Sequence, residues 1–310
     1  MVVVAALDVG SGATKLLVAR ISKNPFKLMQ VLYEKETEVL LAHDVESNEG
    51  FISEHTQSKC RDVLLNYKNM ALSLGASRIS GVGTQVFRTA CNGADFLRSL
   101  KKQDIFIDLI GQQQEGHLGF LTAVALTNDP GIISWDSGGA SFQITDGKNV
   151  FQGHLGTTVV TAALCHLQGK IAFNAVSTPN PVSQQDADLL NDYIYEIVGG
   201  IEGRMNIRTR RVIGIGGETC AFNMCRLAAN ISVSSNGGFL LDQDSVKNAI
   251  PTFLNLDDAG ISNKGFTVQP SMLLPKLILV YNVMKIMQIG SFEYFQSTGS
   301  CLGYLAHQEI

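Results

Sequence analysis

Two short stretches of this chain hold the residue types that phosphate chemistry needs. Asp8-Val-Gly-Ser-Gly-Ala13 follows the apolar run Val2–Leu7 and leads into Thr14-Lys-Leu-Leu-Val-Ala-Arg20, while Asp136-Ser-Gly-Gly-Ala-Ser141 sits between Gly131-Ile-Ile-Ser-Trp135 and Phe142-Gln-Ile-Thr145. Each reads as strand, glycine turn, strand, with residues in the turn small enough to bring backbone N–H groups together around an anion. An Asp at the turn entrance has no use against a phosphate directly, because both are anions, but it can hold a divalent cation or its water shell. Both turns begin with Asp and place Gly two residues later, which we read as an internal duplication. One such hairpin has a purely conformational explanation, since hairpins need glycine. Two with matched Asp and Gly positions carry more weight.

Further candidates follow strands. Ile79-Ser-Gly-Val-Gly83 runs into Thr84, and a Thr at a helix start presents N–H groups and a hydroxyl to an anion, with Arg88 on the same side by its four-residue spacing. A capping Thr and a surface Arg are the plainer alternative. Ile105-Phe-Ile-Asp-Leu-Ile110 is a short strand, and the helix opened by Gly111-Gln-Gln-Gln-Glu115 is expected to continue through Thr122. Glu115 in its first turns is a dipole partner or, if that helix start faces phosphate, a general base.

The elements that must position these groups are α/β in pattern. The 310 residues suit two domains, and 45% hydrophobic with 17% charged residues describes a well-packed globule. A formal charge of -4 argues against a general nucleic-acid binder. No apolar stretch is long enough to span a bilayer, and the N-terminal run meets Asp8 too early for a signal peptide, so the expected location is cytoplasmic. The six cysteines lack metal-like spacing and are expected to be reduced core residues. Helices are expected over Ser53–Leu74 with Ser53 as cap, Thr157–Leu167, Gln184–Ile201, Ser245–Leu254 and Met272–Gln288, with strands at Val212–Gly217 and Phe292–Phe295 and a last helix from Gly299. Arg204, Arg208, Arg210 and Arg211 form the one dense basic cluster, which reads as an electrostatic funnel for a polyanion or, more plainly given its place just before a buried strand, as a solvated strand-entry loop.

Taken together, the Asp-x-Gly-Ser hairpin, the Thr84-x-x-x-Arg88 segment, the Glu115-Gly116 helix and the Asp-x-Gly-Gly-x-Ser hairpin resemble the exopolyphosphatase and guanosine pentaphosphate phosphatase family, within the actin-like, Hsp70-like and sugar-kinase-like superfamily. Gly153-His-Leu-Gly156, Val212-Ile-Gly-Ile-Gly-Gly217 and Ser297-Thr-Gly-Ser-Cys-Leu-Gly303 extend the likeness over nearly the whole chain. The resemblance implies two ribonuclease-H-like, actin-like ATPase domains with an interdomain cleft: residues 1–122, to which a terminal helix at 299–310 returns, and 123–298. It implies a phosphate site of Asp8, Gly10, Ser11, Gly12, Lys15, Thr84, Gly138, Gly139, Ala140 and Ser141. Glu115 and Arg88 are the implied catalytic pair, and Asp136, with Asp8, the implied Mg²⁺ contact. The implied substrates are inorganic polyphosphate and guanosine pentaphosphate, and dimerisation is common in the family, although nothing here marks an interface.

This chain also departs from the family pattern. Gln143 stands where a Glu is usual, Gly12 where Asn is, and Glu218 where Thr is. The segment Gly156-Thr-Thr-Val159 lacks the family's Arg, Gln269 and Ser271 replace an Arg and an Asp, and the closing Arg-Glu is absent. His117 holds a position that is often Arg, and Asn92 matches the end of the Thr84 segment. Because several of these changes remove charge, two other functions stay open on sequence: a binding protein for phosphate or guanosine nucleotides, and a kinase of the same superfamily.

Overall fold

The computed structural model describes residues 1–23, 25–170, 173, 177–199, 207 and 210–308. The chain forms two compact units, Met1–Pro130 with Ser297–Ile310, and Gly131–Gln296.

The first unit is built on a five-stranded sheet. Strands β1 (Val2–Val9) and β2 (Ala13–Ser22) form the first hairpin, β3 (Lys27–Glu38) pairs antiparallel with β2, and β4 (Ile79–Gly83) and β5 (Phe106–Leu109) run parallel to β1, in the order β3-β2-β1-β4-β5. β1 is apolar almost throughout because both its faces are covered. Leu7, Leu16 and Val18 pack on one side with Leu64 of α2 (Glu54–Ser73) and Phe96 of α4 (Gly93–Lys101). Ala6, Leu17 and Val82 pack on the other with Leu118 of α5 (Gln112–Thr127) and Leu302 and Tyr304 of α12 (Cys301–Gln308). The Ser53 hydroxyl caps α2 by accepting the Thr56 N–H at 3.3 Å, as its position suggested. The helix opened at Thr84 is shorter than its pattern: α3 (Gln85–Thr89) stops because Ala90 is extended, with ψ 132°. α5 in turn runs past Thr122 to Thr127. A short helix not read from the sequence, α1 (Leu41–Ser47), follows β3.

The second unit repeats the plan. β6 (Ile133–Ser137), β7 (Phe142–Thr145) and β8 (Val150–Gly153) form an antiparallel meander, and β9 (Val212–Gly216) and β11 (Ser291–Gln296) lie parallel to β6, with β10 (Phe239–Asp242) at the edge, in the order β10-β11-β9-β6-β7-β8. Trp135, Phe222 and Phe292 centre the core, with ring centroids 4.8–5.1 Å apart in edge-on contact. Helices α6 (Thr157–Leu167), α7 (Gln184–Val198), α8 (Ala221–Ala228), α9 (Gln243–Ala249), α10 (Asp258–Asn263) and α11 (Leu273–Ile286) complete the unit. Ile201, where α7 was expected to end, lies outside the described residues, as do Arg204 and Arg208. Arg211 forks onto Glu293 at 2.6 and 2.8 Å, and Arg210 reaches Asp146 at 3.1 Å and the Gly131 and Ile132 carbonyls, so these two arginines fasten the entry to β9.

The six cysteines are free thiols. Cys60, Cys165, Cys225 and Cys301 are buried as expected, whereas Cys91 is exposed and Cys220 half-buried. Among the described residues, no helix is long and apolar enough to cross a membrane.

Candidate functional site

In each unit the chemistry-bearing residues gather at the carboxyl ends of parallel strands, the edge where open α/β sheets bind ligands. In the first unit β1, β4 and β5 end together, since Val9 pairs with Gly83 and Gly83 with Leu109. Beyond them lie the Gly10–Gly12 turn, Thr84 and the start of α5.

The first turn is closed by the Gly10 N–H on the Ala13 carbonyl at 2.9 Å. Its own carbonyls are taken: Ser11 O accepts from Ala42 N at 2.9 Å and Gly12 O from Val39 N at 3.0 Å. A trans peptide sets N–H opposite C=O, so anchoring the Ser11 carbonyl turns the Gly12 N–H away from that contact. Among the described residues, no acceptor is bonded to the Ser11 and Gly12 N–H groups. Behind the turn Asp8 and Lys15 are direct cross-strand partners. Asp8 is only 7% exposed and accepts the Ser300 N–H at 2.9 Å. Gly299, at φ +57°, sits against both: a Cβ there would collide with the Asp8 carboxylate and come within 3.0 Å of the Lys15 ammonium.

Thr84 is buried, its N–H bonds Val9 O at 3.2 Å, and its side chain makes no capping bond. Sequence spacing did not reveal the contact that matters most here. The Arg88 guanidinium donates to the Ile110 carbonyl and lies 4.0 Å from the Glu115 carboxylate, each side chain about a quarter exposed. Glu115 stands in the first turn of α5, where the helix dipole favours its charge. Asn92, by contrast, is structural, because its amide makes two bonds to the Ile52 backbone at 2.8 and 2.9 Å. His117 packs edge-on against His307, with centroids 6.0 Å apart; burial first, and then His307, lower its pKa, which works against a positive charge there.

The second turn repeats the first. Gly138 N–H closes it on Ser141 O at 2.9 Å, and Asp136 faces Gln143 across the strands where Asp8 faces Lys15. The start of α6 locks it from behind, with Thr157 N on Gly138 O and Thr158 N on Gly139 O, both at 2.9 Å. Gly156 permits this approach, since a Cβ would overlap the backbone of Gly139 and Ala140. Among the described residues, no acceptor is bonded to the Gly139 and Ala140 N–H groups. Gln143 is buried and its amide donates to the Ser141 hydroxyl at 3.0 Å, so the uncharged replacement is built into the turn.

A third turn follows β9. Tyr294 O–H reaches the Gly216 carbonyl at 3.1 Å, the Asn223 amide the Glu218 carbonyl at 2.6 Å, and the buried Lys276 ammonium the Thr219 carbonyl and Gln269 at 2.8 Å each. Lys276 therefore lies beside Gln269, the position of the family's missing arginine.

The carboxylates among the described residues suit a metal that is shared with substrate phosphates. Among the described residues no three His, Cys, Asp or Glu side chains cluster to form a cage. Mg²⁺ is commonly held by one or two carboxylates together with substrate phosphates, and half-buried Asp136 at the turn entrance suits that role.

Residues 17–162 match the model of the Ppx/GppA phosphatase family, a span that takes in Thr84, Arg88, Glu115 and the whole second turn. Solved structures with the same fold include a type II variant of the Aquifex aeolicus Ppx/GppA phosphatase, at TM-score 0.77 and 19% identity, covering 100% of both chains. Another crystal structure of the Aquifex aeolicus family member aligns at 0.76 and 18%, covering 99% of this chain and 97% of that one. An exopolyphosphatase from Cytophaga hutchinsonii aligns at 0.75 and 17%, again covering 99% and 97%. No curated protein sequence matches the chain.

Proposed function

We propose that this chain, which carries a Ppx/GppA phosphatase-family domain over residues 17–162, hydrolyses the terminal phosphoanhydride bond of inorganic polyphosphate or guanosine pentaphosphate. The observation that carries the reading is the recurrence, once in each unit, of an Asp-headed hairpin whose tip N–H groups have no acceptor among the described residues.

Phosphoryl transfer needs positioning and charge stabilisation more than covalent help. The first unit supplies the Ser11 and Gly12 amides, Lys15 and Arg88 to offset charge on the phosphoryl oxygens, with Gly10 shaping the turn and Thr84 beside it. The second unit carries the matching set, the Gly139 and Ala140 amides and Ser141, with Gly138 closing the turn. Glu115 accepts a proton from water as the water oxygen bonds to phosphorus; the bond from phosphorus to the bridging oxygen breaks, and the shortened chain leaves with those electrons. Arg88 keeps the Glu115 carboxylate oriented. Mg²⁺, when bound, neutralises phosphate oxygens, and Asp136 is the side chain that would hold it. Asp8 is buried and accepts the Ser300 N–H, so we assign it to shaping the turn and assign the metal contact to Asp136 at the second turn's entrance.

Orthophosphate release from short polyphosphate and from guanosine pentaphosphate, with and without Mg²⁺, tests this reading and ranks the substrates. Metal-dependent release supports it. Binding of both without release supports a second reading that Gln143 favours, a phosphate-binding protein on an enzyme's frame. Consumption of ATP only with an added acceptor would instead indicate a kinase.

A further inference from the structure

We propose that Thr122 is a positioning residue that fixes the Asp8–Lys15 pair through the carboxyl-terminal turn, an inference that deepens the hydrolase reading and rests on it. Thr122 lies in the middle of α5, fully buried. A β-branched hydroxyl residue has no propensity advantage there. Its hydroxyl instead spans a turn of distant chain: it accepts the Gly303 N–H at 2.9 Å and donates to the Gly299 carbonyl at 3.4 Å. One oxygen thus holds both ends of the Gly299–Gly303 segment.

The surrounding packing leaves that segment a single register. A Cβ on Gly303 would overlap the Leu118 carbonyl, so the first turn of α12 rests directly on the α5 backbone. At the other end Gly299 adopts its left-handed conformation against the Asp8 carboxylate and the Lys15 ammonium, and the next residue, Ser300, gives its N–H to Asp8. The route is continuous: Thr122, the Gly299–Ser300 peptide, Asp8 and Lys15. α5 also carries Glu115, two helical turns earlier, so the helix that holds the proposed base also sets the proposed phosphate-binding cation. A hydrophobic side chain of similar size would fill the Thr122 volume; the hydroxyl is what registers the turn.

The test is calorimetric titration of the full chain with inorganic tripolyphosphate. Thr122→Val removes both hydroxyl hydrogen bonds to the Gly299–Gly303 segment and should weaken binding roughly 3- to 10-fold. Thr122→Ser, which keeps the hydroxyl, should bind as the unaltered chain does. Lys15→Met should also weaken binding, and adding Thr122→Val to it should cost nothing more, because the two act through one interaction. If Thr122→Val fails to fold, Thr122→Ala removes the same hydroxyl and takes its place in the cycle. Unchanged affinity in Thr122→Val, or losses that simply add to those of Lys15→Met, would overturn the proposal and leave the hydrolase reading standing. No binding of tripolyphosphate by the unaltered chain would remove both.

Discussion

Gly156→Ala is the sharpest perturbation of the second turn. Gly156 has a negative φ, so alanine brings no backbone strain there, and every consequence must come from its methyl group. That methyl would overlap the Gly139 carbonyl and the Ala140 nitrogen, which are main-chain atoms and cannot swing aside. Either α6 withdraws, breaking the Thr157 and Thr158 bonds to the turn, or the turn tips its amides out of line. Overpacking of this kind costs about 1–3 kcal/mol. For a unit of this size that lowers the melting temperature by roughly 2–12 °C. Gly290→Ala is the matched control, since its methyl meets nothing within 4 Å and its φ is not left-handed; it should change stability by no more than about 0.5 kcal/mol. Thermal melts and orthophosphate release from short polyphosphate, run on both variants, separate the cases. Gly156→Ala should lose both stability and most of its activity. If it melts and turns over like Gly290→Ala, the locking of the second turn by α6 is wrong.

Two further predictions use different physics. Gly299→Ala pairs left-handed strain with a collision against Asp8 and Lys15, whereas Gly75→Ala, at φ +82° with open space around it, brings strain alone. Both should lose about 1–2 kcal/mol from the backbone, with Gly299→Ala losing about 1–3 kcal/mol more together with tripolyphosphate affinity; equal melting temperatures and affinities would contradict the clamp on Asp8. For Asp146, burial raises the pKa but is outweighed by the Asn149 and Lys148 N–H groups, the Asn149 amide and Arg210, leaving it at about 2 against an ordinary 3.8. A depressed carboxylate stabilises the fold above its ordinary value and loses that contribution as pH falls through the folded value. The melting-temperature gap between the chain and Asp146→Asn should therefore hold above about pH 4 and close toward about pH 2; a gap independent of pH would refute the assignment.

What could be read in advance followed from local chemistry. The duplicated hairpins were legible because Asp, Gly and small residues must recur in order wherever a strand turns around an anion, and the buried strands because apolar runs such as Val2–Leu7 admit few alternatives. The contacts that tie these pieces together were not legible. The Arg88–Glu115 pair joins two elements across β4 and β5, and nothing in their spacing announces it. Ser300 meets Asp8 only because the chain's end returns to its start, and the donor is a backbone amide with no residue type of its own. Short elements such as α1, α8 and β10 escaped for a related reason, as each is too brief to show a period and is held by packing. Glycines were the visible trace of these contacts: Gly156, Gly299 and Gly303 each stand where another main chain or a charged side chain approaches too closely for a Cβ.

The central claim of the proposed function is that Glu115 activates water at a bound phosphoryl group. Single-turnover release of orthophosphate from tripolyphosphate, measured with the binding affinity for the chain and for Glu115→Gln, tests it most directly. The account predicts a rate at least about a hundredfold lower in the variant, with affinity nearly unchanged. An unaltered rate, or a variant that loses binding as fast as it loses turnover, would contradict it.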